Sequence, residues 1–149
     1  MGRFIDCGEL RETNGEGFNP SAILTMKNGV FKGDFVVTSD MVKDCKLNFP
    51  IEMKEVSGRF DCSVVKLTTL EGAPKEVGGN FYCSGNELTN LEGAPEKVGL
   101  GFMCHHNKLT SLEGAPKEVG GNFDCSYNTR RFTEEEVRAV CDVKGRVIV

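Results

Sequence analysis

Cysteine and histidine are the residues in this sequence whose spacing could support chemistry, because both types bind metal ions and serve as nucleophiles or bases. Four cysteines stand 21 residues apart, at Cys62, Cys83, Cys104 and Cys125. The third is followed directly by His105 and His106. Neighbouring residues of a strand point to opposite faces, so Cys104 and His105 cannot converge on one ion. We therefore predict no metal site and no cofactor.

Carboxylates at corresponding repeat positions are the other candidates for catalysis. Asp61 and Asp124 lie three repeats apart, which at one strand per repeat separates them by roughly 14 Å. Paired-carboxylate hydrolysis needs about 5–9.5 Å. His105 and Asp124 could touch, but no Ser, Cys or Thr completes a triad beside them. We predict no catalytic residues and a protein that is not an enzyme.

The cysteine spacing also bears on disulfides and on the cellular compartment. The chain has seven cysteines, an odd number that fits a disulfide framework badly. Stacked one strand apart, the four regular cysteines would point their Cβ atoms in parallel, whereas a disulfide needs converging vectors. We predict free thiols in this column. Buried free cysteines are typical of reducing compartments, so we also predict a cytoplasmic protein.

A 21-residue repeat must position these side chains. Two further columns keep the same spacing: Phe60, Phe81, Phe102 and Phe123, and Leu70, Leu91 and Leu112. A fixed period of this length indicates a solenoid, in which each repeat packs on its neighbours. Phe-x-Cys reads as a short strand with both residues inward. The Asn of Cys-x-x-Asn follows them inward, at Asn86, Asn107 and Asn128.

Buried asparagines need partners for their amides, and we expect them to form a ladder that binds loop backbone groups. Because Val65 replaces Asn in the first regular repeat, the ladder should begin at Asn86.

We predict one domain over residues 1–149, with repeats at 35–128 between two caps. The N-terminal cap, 1–34, is expected to be β-rich, with a hairpin turn at Asn28–Gly29. A degenerate first repeat begins at Phe35. The C-terminal cap, 129–149, combines a helix with a final strand at Arg146–Val149. That helix should begin at the capping box Thr133–Glu136, with an apolar face made by Val137, Val140 and Cys141.

The repeat Phe-x-Cys-x-x-Asn-x-Leu-x-x-Leu resembles the LxLxxNxLxxL segment of leucine-rich repeats, with Phe and Cys replacing the first two leucines. Its length and its Leu-Thr-x-Leu-x-x-x-Pro phrasing are similar to the short bacterial class found in secreted effectors and phage-encoded proteins. The resemblance implies an α/β or mainly β solenoid with a parallel concave sheet. It also implies that the protein is located in the cytoplasm of a bacterial cell or of an infected host cell.

Outward positions of the predicted strands change from repeat to repeat while the inward positions barely change. Such variety is typical of protein-recognition surfaces, where aromatic residues and Met are enriched; the alternative is a solvated sheet whose outward residues drifted freely. We predict that this concave face binds a partner through eight residues: Arg59, Asp61, Asn80, Tyr82, Met103, His105, Asn122 and Asp124.

Charge and hydropathy limit the class of partner. The net charge is −4 and no basic face marks the repeats, which argues against direct nucleic-acid binding. No apolar run approaches the roughly 18–20 residues that a membrane span needs, so we expect no membrane. We expect another protein as the partner, and a monomer or weak homo-oligomer.

Two hypotheses for function follow. Together with the absence of catalytic residues, the resemblance implies a small phage or bacterial protein that binds and inhibits a host factor such as a defence nuclease, in the manner of an anti-CRISPR. The alternative is a structural repeat protein that self-assembles through its edge strands.

Overall fold

A computed structural model describes residues 26–149, and these residues form a solenoid of six turns. Each turn, here called a rung, contributes one two-residue strand to each of two six-stranded parallel sheets. The regular rungs recur every 21 residues, as the sequence predicts. Residues 1–25, which include most of the predicted N-terminal cap, lie outside the described residues.

The first sheet, the phenylalanine sheet, contains the predicted Phe-x-Cys strands. Its strands in rungs 1 to 6, numbered in chain order, are β2 (Phe35–Val36), β6 (Phe60–Asp61), β8 (Phe81–Tyr82), β10 (Phe102–Met103), β12 (Phe123–Asp124) and β14 (Val147–Ile148). The register places each Phe beside the equivalent Phe of the next rung. These phenylalanines and the four regular cysteines are buried, which confirms their predicted inward orientation.

The second sheet, the valine sheet, is absent from the sequence analysis. Its strands in rungs 1 to 6 are β1 (Val30–Phe31), β5 (Glu55–Val56), β7 (Glu76–Val77), β9 (Lys97–Val98), β11 (Glu118–Val119) and β13 (Asp142–Val143). The valines of rungs 2 to 6 are buried. Strands of two residues are too short for alternation to be recognised from sequence, because a periodic pattern needs at least four residues.

A three-residue turn joins the two strands of every rung, and glycine lets neighbouring turns lie close together. A Cβ atom on Gly99 would lie 2.2 Å from the carbonyl oxygen of Gly78, and one on Gly120 would lie 2.2 Å from that of Gly99. Any side chain there would push the rungs apart. The glycine that follows the buried valine in rungs 3 to 5 therefore sets the rung spacing at this corner.

The core is a stack of like residues. Ring centroids of consecutive phenylalanines lie 5.7, 5.4, 5.4 and 5.1 Å apart from Phe35 to Phe123. Leucines of the arc that leads from the phenylalanine sheet back to the valine sheet pack behind them, and Leu67, Leu88 and Leu91 are fully buried. Each apolar side chain thus contacts its equivalents above and below, which makes the rungs mutually dependent.

The predicted asparagine ladder is confirmed, including its start at Asn86. The amide oxygen of Asn107 accepts from the backbone N–H of Leu88 at 3.1 Å. Its Nδ2 group donates to the carbonyls of Cys83 at 2.9 Å and of Cys104 at 3.1 Å. Asn86 and Asn128 make the equivalent bonds one rung below and above. Each asparagine therefore connects its own rung to the preceding one.

The first rung is followed by irregular structure. A 3₁₀ turn at Ser39–Met41 leads into an antiparallel hairpin of β3 (Val42–Lys43) and β4 (Lys46–Leu47). Before β1, the predicted turn at Asn28–Gly29 is present, with a bridge between Lys27 and Val30. Because β1 pairs with β5, regular stacking begins at Val30.

The last rung follows a short helix, α1 (Glu134–Val140). The predicted capping box is present: the Thr133 hydroxyl accepts from the Glu136 N–H, and the Glu136 carboxylate accepts from the Thr133 N–H. Val140 was predicted on the apolar face, and this is wrong, since its side chain is exposed. The helix ends there and Cys141 is already extended, so helical spacing no longer applies. Strands β13 and β14 then extend both sheets.

Candidate partner-binding surface

The outer face of the phenylalanine sheet, here called the binding face, presents three columns of side chains. The column before each Phe contains Asp34, Arg59, Asn80, Gly101, Asn122 and Arg146. The column after it contains Val36, Asp61, Tyr82, Met103, Asp124 and Ile148. The third contains Thr38, Ser63, Ser84, His105 and Ser126. All eight residues predicted from sequence lie in these columns.

Two of the predicted residues are held by the scaffold. The side-chain oxygen of Asn80 accepts from the Gly101 N–H at 2.7 Å, and that of Asn122 accepts from the Arg146 N–H at 2.9 Å. Asp34 does the same for the N–H of Arg59 at 2.7 Å. These bonds connect alternate rungs to the next one along the edge of the sheet. Asn80 and Asn122 thus have a structural role that sequence reasoning missed.

The aspartates in the middle column are also engaged locally. Asp61 accepts from the N–H of Ser63 at 3.0 Å. Asp124 accepts from both the N–H and the hydroxyl of Ser126, at 3.0 and 2.6 Å. Each carboxylate therefore closes a turn at the end of its own strand. The hydrogen bonds fix the orientation of two negative charges on the face.

Between these aspartates, rungs 3 and 4 carry Tyr82 and Met103, both half-buried. The Tyr82 hydroxyl accepts from the Asn80 amide at 3.1 Å. A Cβ atom on Gly101 would lie 2.5 Å from the terminal methyl of Met103, so glycine at this position makes room for the methionine side chain. Tyr82 and Met103 thus form a positioned apolar centre.

Rung 4 concentrates the departures from the repeat. It has Leu100 where the other five rungs have glycine, and the Leu100 side chain is exposed. It also has His105 and His106 where rung 3 has Ser84 and Gly85. The two imidazoles meet through their Nδ1 atoms at 2.9 Å. One rung therefore supplies most of the distinctive chemistry of the surface.

A fourth column, which sequence reasoning missed, borders the face where the strands end. It contains Val64, Gly85, His106 and Tyr127, all with φ between 53° and 70°. The rings of His106 and Tyr127 stack at 4.7 Å. A left-handed backbone is costly for residues other than glycine. The sequence does contain a signal for this column. One repeat has Gly85 at this position and the other repeats have bulky residues, which indicates a strained and exposed site.

Burial determines the chemistry of the cysteine column. Cys62, Cys83, Cys104, Cys125 and Cys141 are free and buried, which confirms the free thiols predicted for the regular column. Burial raises the pKa of the thiols of Cys62, Cys83 and Cys104 well above the ordinary value. It raises the pKa of Cys125 and of Cys141 to about 11, with help from Asp124 and Asp142 respectively. These thiols stay protonated at neutral pH and behave as small apolar groups.

Arginines near the C-terminal end make internal contacts. Arg138 donates to the carbonyls of Val143 at 2.7 Å and Gly145 at 3.0 Å, and also to the carboxylate of Glu134 at 2.9 Å. Arg130 lies over the ring of Phe132 and donates to Glu136, whose carboxyl pKa is lowered mainly by this bond. The Arg138 guanidinium thus holds helix α1 against the last rung, and the Arg130 guanidinium holds the helix against the segment that precedes it.

The described residues contain neither a cluster of metal-binding side chains nor a membrane-spanning helix. Among residues 26–149, no group of three or more His, Cys, Asp or Glu side chains is arranged to hold a metal ion. That same part of the chain contains no helix with the length and apolar character needed to span a bilayer.

Comparison with known proteins adds no relative. Protein-family models, curated proteins and solved structures give no match to this chain. Inference about function therefore depends on the geometry of the binding face.

Proposed function

We propose that this chain is a non-enzymatic protein-interaction module of the leucine-rich-repeat type, which binds another protein through the binding face. In this proposal it is a small phage or bacterial protein that acts in the cytoplasm, where it binds and inhibits a host factor such as a defence nuclease. The solenoid fold supports the proposal of a protein-interaction module. The resemblance of the repeat to leucine-rich repeats supports the proposal of a phage or bacterial protein.

One observation carries the proposal: inward side chains repeat, whereas the middle column of the binding face reads Val36, Asp61, Tyr82, Met103, Asp124 and Ile148. Packing of the core does not require this variety. A positioned aromatic residue and a methionine at the centre, bordered by polar groups, match the composition of contact centres in protein interfaces.

The test compares two triple variants with equal numbers of alanines. Tyr82→Ala, Met103→Ala and His105→Ala remove the centre of the binding face. The matched control, Glu76→Ala, Lys97→Ala and Glu118→Ala, alters the outer face of the valine sheet in rungs 3, 4 and 5. Affinity purification from host cells, with mass spectrometry, should recover a host protein with the wild type and the control and lose it with the first variant.

Retained capture by the Tyr82, Met103 and His105 variant would overturn the assignment of the surface. Thermal melts of both variants serve as the control for folding. The inhibitory role has its own assay: expression of the wild-type chain should restore plaque formation by a phage on bacteria that carry a nuclease-based defence. Unchanged plaque counts across such defences would contradict inhibition while leaving partner binding to be judged by capture.

A further inference from the structure

Exposed apolar side chains lie in a symmetric arrangement on the binding face and in the fourth column that borders it. Four large ones are well exposed: Val36 at 48%, Val64 at 51%, Tyr127 at 76% and Ile148 at 40%. Val36 and Ile148 occupy one column at rungs 1 and 6, while Val64 and Tyr127 occupy another at rungs 2 and 5. Tyr127 and Ile148 also line one groove. Each pair is thus equidistant from the middle of the stack.

Charged and central side chains follow the same symmetry. Asp34 of rung 1 and Arg146 of rung 6 share a column and have opposite charges. Tyr82 and Met103, the apolar centre, occupy rungs 3 and 4. A two-fold axis parallel to the strands, placed between rungs 3 and 4, relates rung 1 of one copy to rung 6 of another. Under this rotation every column faces its own counterpart.

We propose that two copies of this chain form a two-fold symmetric dimer through their binding faces. Val36 packs against Ile148 of the second copy, and Val64 packs against Tyr127. Tyr82 meets Met103, and Asp34 pairs with Arg146. Every contact occurs twice, as an isologous interface requires. Charge complementarity of the Asp34 and Arg146 positions selects a second copy as the occupant of the face.

The geometry also fixes the strength of the dimer. In this dimer Asp61 of rung 2 faces Asp124 of rung 5 in the second copy. The two residues carry like charges, and this contact weakens association. Six rungs spaced about 4.8 Å apart, each with a stretch of chain about five residues long along the face, give a total buried area on the order of 1,000 Å², at the low end for specific interfaces. The dimer is therefore weak and concentration-dependent. It requires no other partner, and any partner that binds the same face would compete with it.

Sedimentation equilibrium of the full chain tests the dimer directly. The weight-average mass should rise from 16.3 kDa toward twice that value between about 1 and 500 µM. Val36→Lys and Ile148→Lys should each weaken association about tenfold or more, because a buried apolar contact is replaced by a charge in two places. Val140→Lys is the matched control: Val140 is equally exposed, at 50%, but lies on α1 outside the face.

A charge exchange gives a second, independent readout. Arg146→Asp and Asp34→Lys should each weaken the dimer several-fold, and the double variant should recover most of the loss because the pair is restored with reversed sign. Thermal melts identify any variant that fails to fold, since Asp34 also holds the N–H of Arg59. If the double variant does not fold, the lysine variants alone decide.

A mass that stays at one chain over the whole range would overturn the proposal. Association that Val36→Lys and Ile148→Lys leave unchanged would also overturn it, and would point instead to the strand edges.

Discussion

The two sheets share the same rungs but differ in what they expose. From rung 2 to rung 6 the outer column of the valine sheet is charged throughout, reading Glu55, Glu76, Lys97, Glu118 and Asp142. The equivalent column of the phenylalanine sheet contains Tyr82 and Met103 at its centre and Val36 and Ile148 at its ends. Stacking alone does not create this contrast. The valine sheet has the composition of a solvated face, whereas the phenylalanine sheet has that of a contact surface.

The largest expected effect concerns the core that both sheets share. Leu91 is fully buried in the arc that connects them, and Leu91→Asp should lower the free energy of unfolding by more than about 5 kcal/mol because it buries an unpaired charge. We expect no soluble folded protein by circular dichroism. Thr89→Asp, at an exposed position of the same arc, is the control. A normal melt of the Leu91 variant would contradict the solenoid.

Alanine substitution on the inner faces compares the two sheets directly. Phe102→Ala removes a ring stacked between Phe81 and Phe123 and should cost about 3–5 kcal/mol. Val98→Ala, in the same rung of the valine sheet, should cost about 2 kcal/mol because less apolar surface is lost. Urea denaturation measures both values. Equal losses would show that the phenylalanine stack does not dominate the packing.

The asparagine ladder supports only the phenylalanine side of each rung. Asn107→Ala leaves the Leu88 N–H and the carbonyls of Cys83 and Cys104 without this partner, and should cost about 2–3 kcal/mol. Asn90→Ala, in an exposed turn that holds only the Glu92 N–H, should cost less than about 1 kcal/mol. The difference in urea midpoint is the measurement. Similar losses of unfolding free energy in both variants would show that the ladder contributes no more to stability than an exposed turn does.

Alkaline pH should lower the free energy of unfolding, by less than the substitutions above. Burial raises the pKa of Cys125 and Cys141 from the ordinary value of 9.0 to about 11. The unfolded chain therefore releases these protons first, so the free energy of unfolding falls as pH rises from 9 to 11. Urea midpoints at about pH 8 and about pH 10.5 should show the fall, and Cys125→Ala with Cys141→Ala should reduce it. An undiminished fall in the double variant would exclude the thiols of Cys125 and Cys141 as its cause.

Much of the scaffold could be predicted from sequence because inward positions are constrained by packing. Phe60, Cys62 and Leu70 recur with their equivalents at a fixed period, and that period determines which residues are buried. The inward asparagines could be assigned to a ladder since a buried amide must find partners. The capping box at Thr133 is local, so four residues sufficed to predict where α1 begins.

Other features depend on geometry that the sequence does not express. Strands such as Lys97–Val98 form because tight turns that begin with glycine bring the return segments into register, and two residues carry no periodic signal. Of the eight predicted surface residues, Asn80 also holds the next rung, which only atomic positions reveal. His106 and Tyr127 stack because successive left-handed turns align their rings. Repeat spacing alone did not single out His106 or Tyr127 and could not place their rings together.

We propose that the phenylalanine sheet, and not the valine sheet, forms the contact surface. The most direct test places a benzophenone photo-crosslinking amino acid at Tyr82 or at Lys97, in neighbouring rungs of opposite sheets. Irradiation of host cells that express each variant, with mass spectrometry of the adducts, identifies which sheet contacts a protein. We expect adducts from Tyr82 and none from Lys97. Adducts from Lys97 alone, or from neither position, would contradict the account.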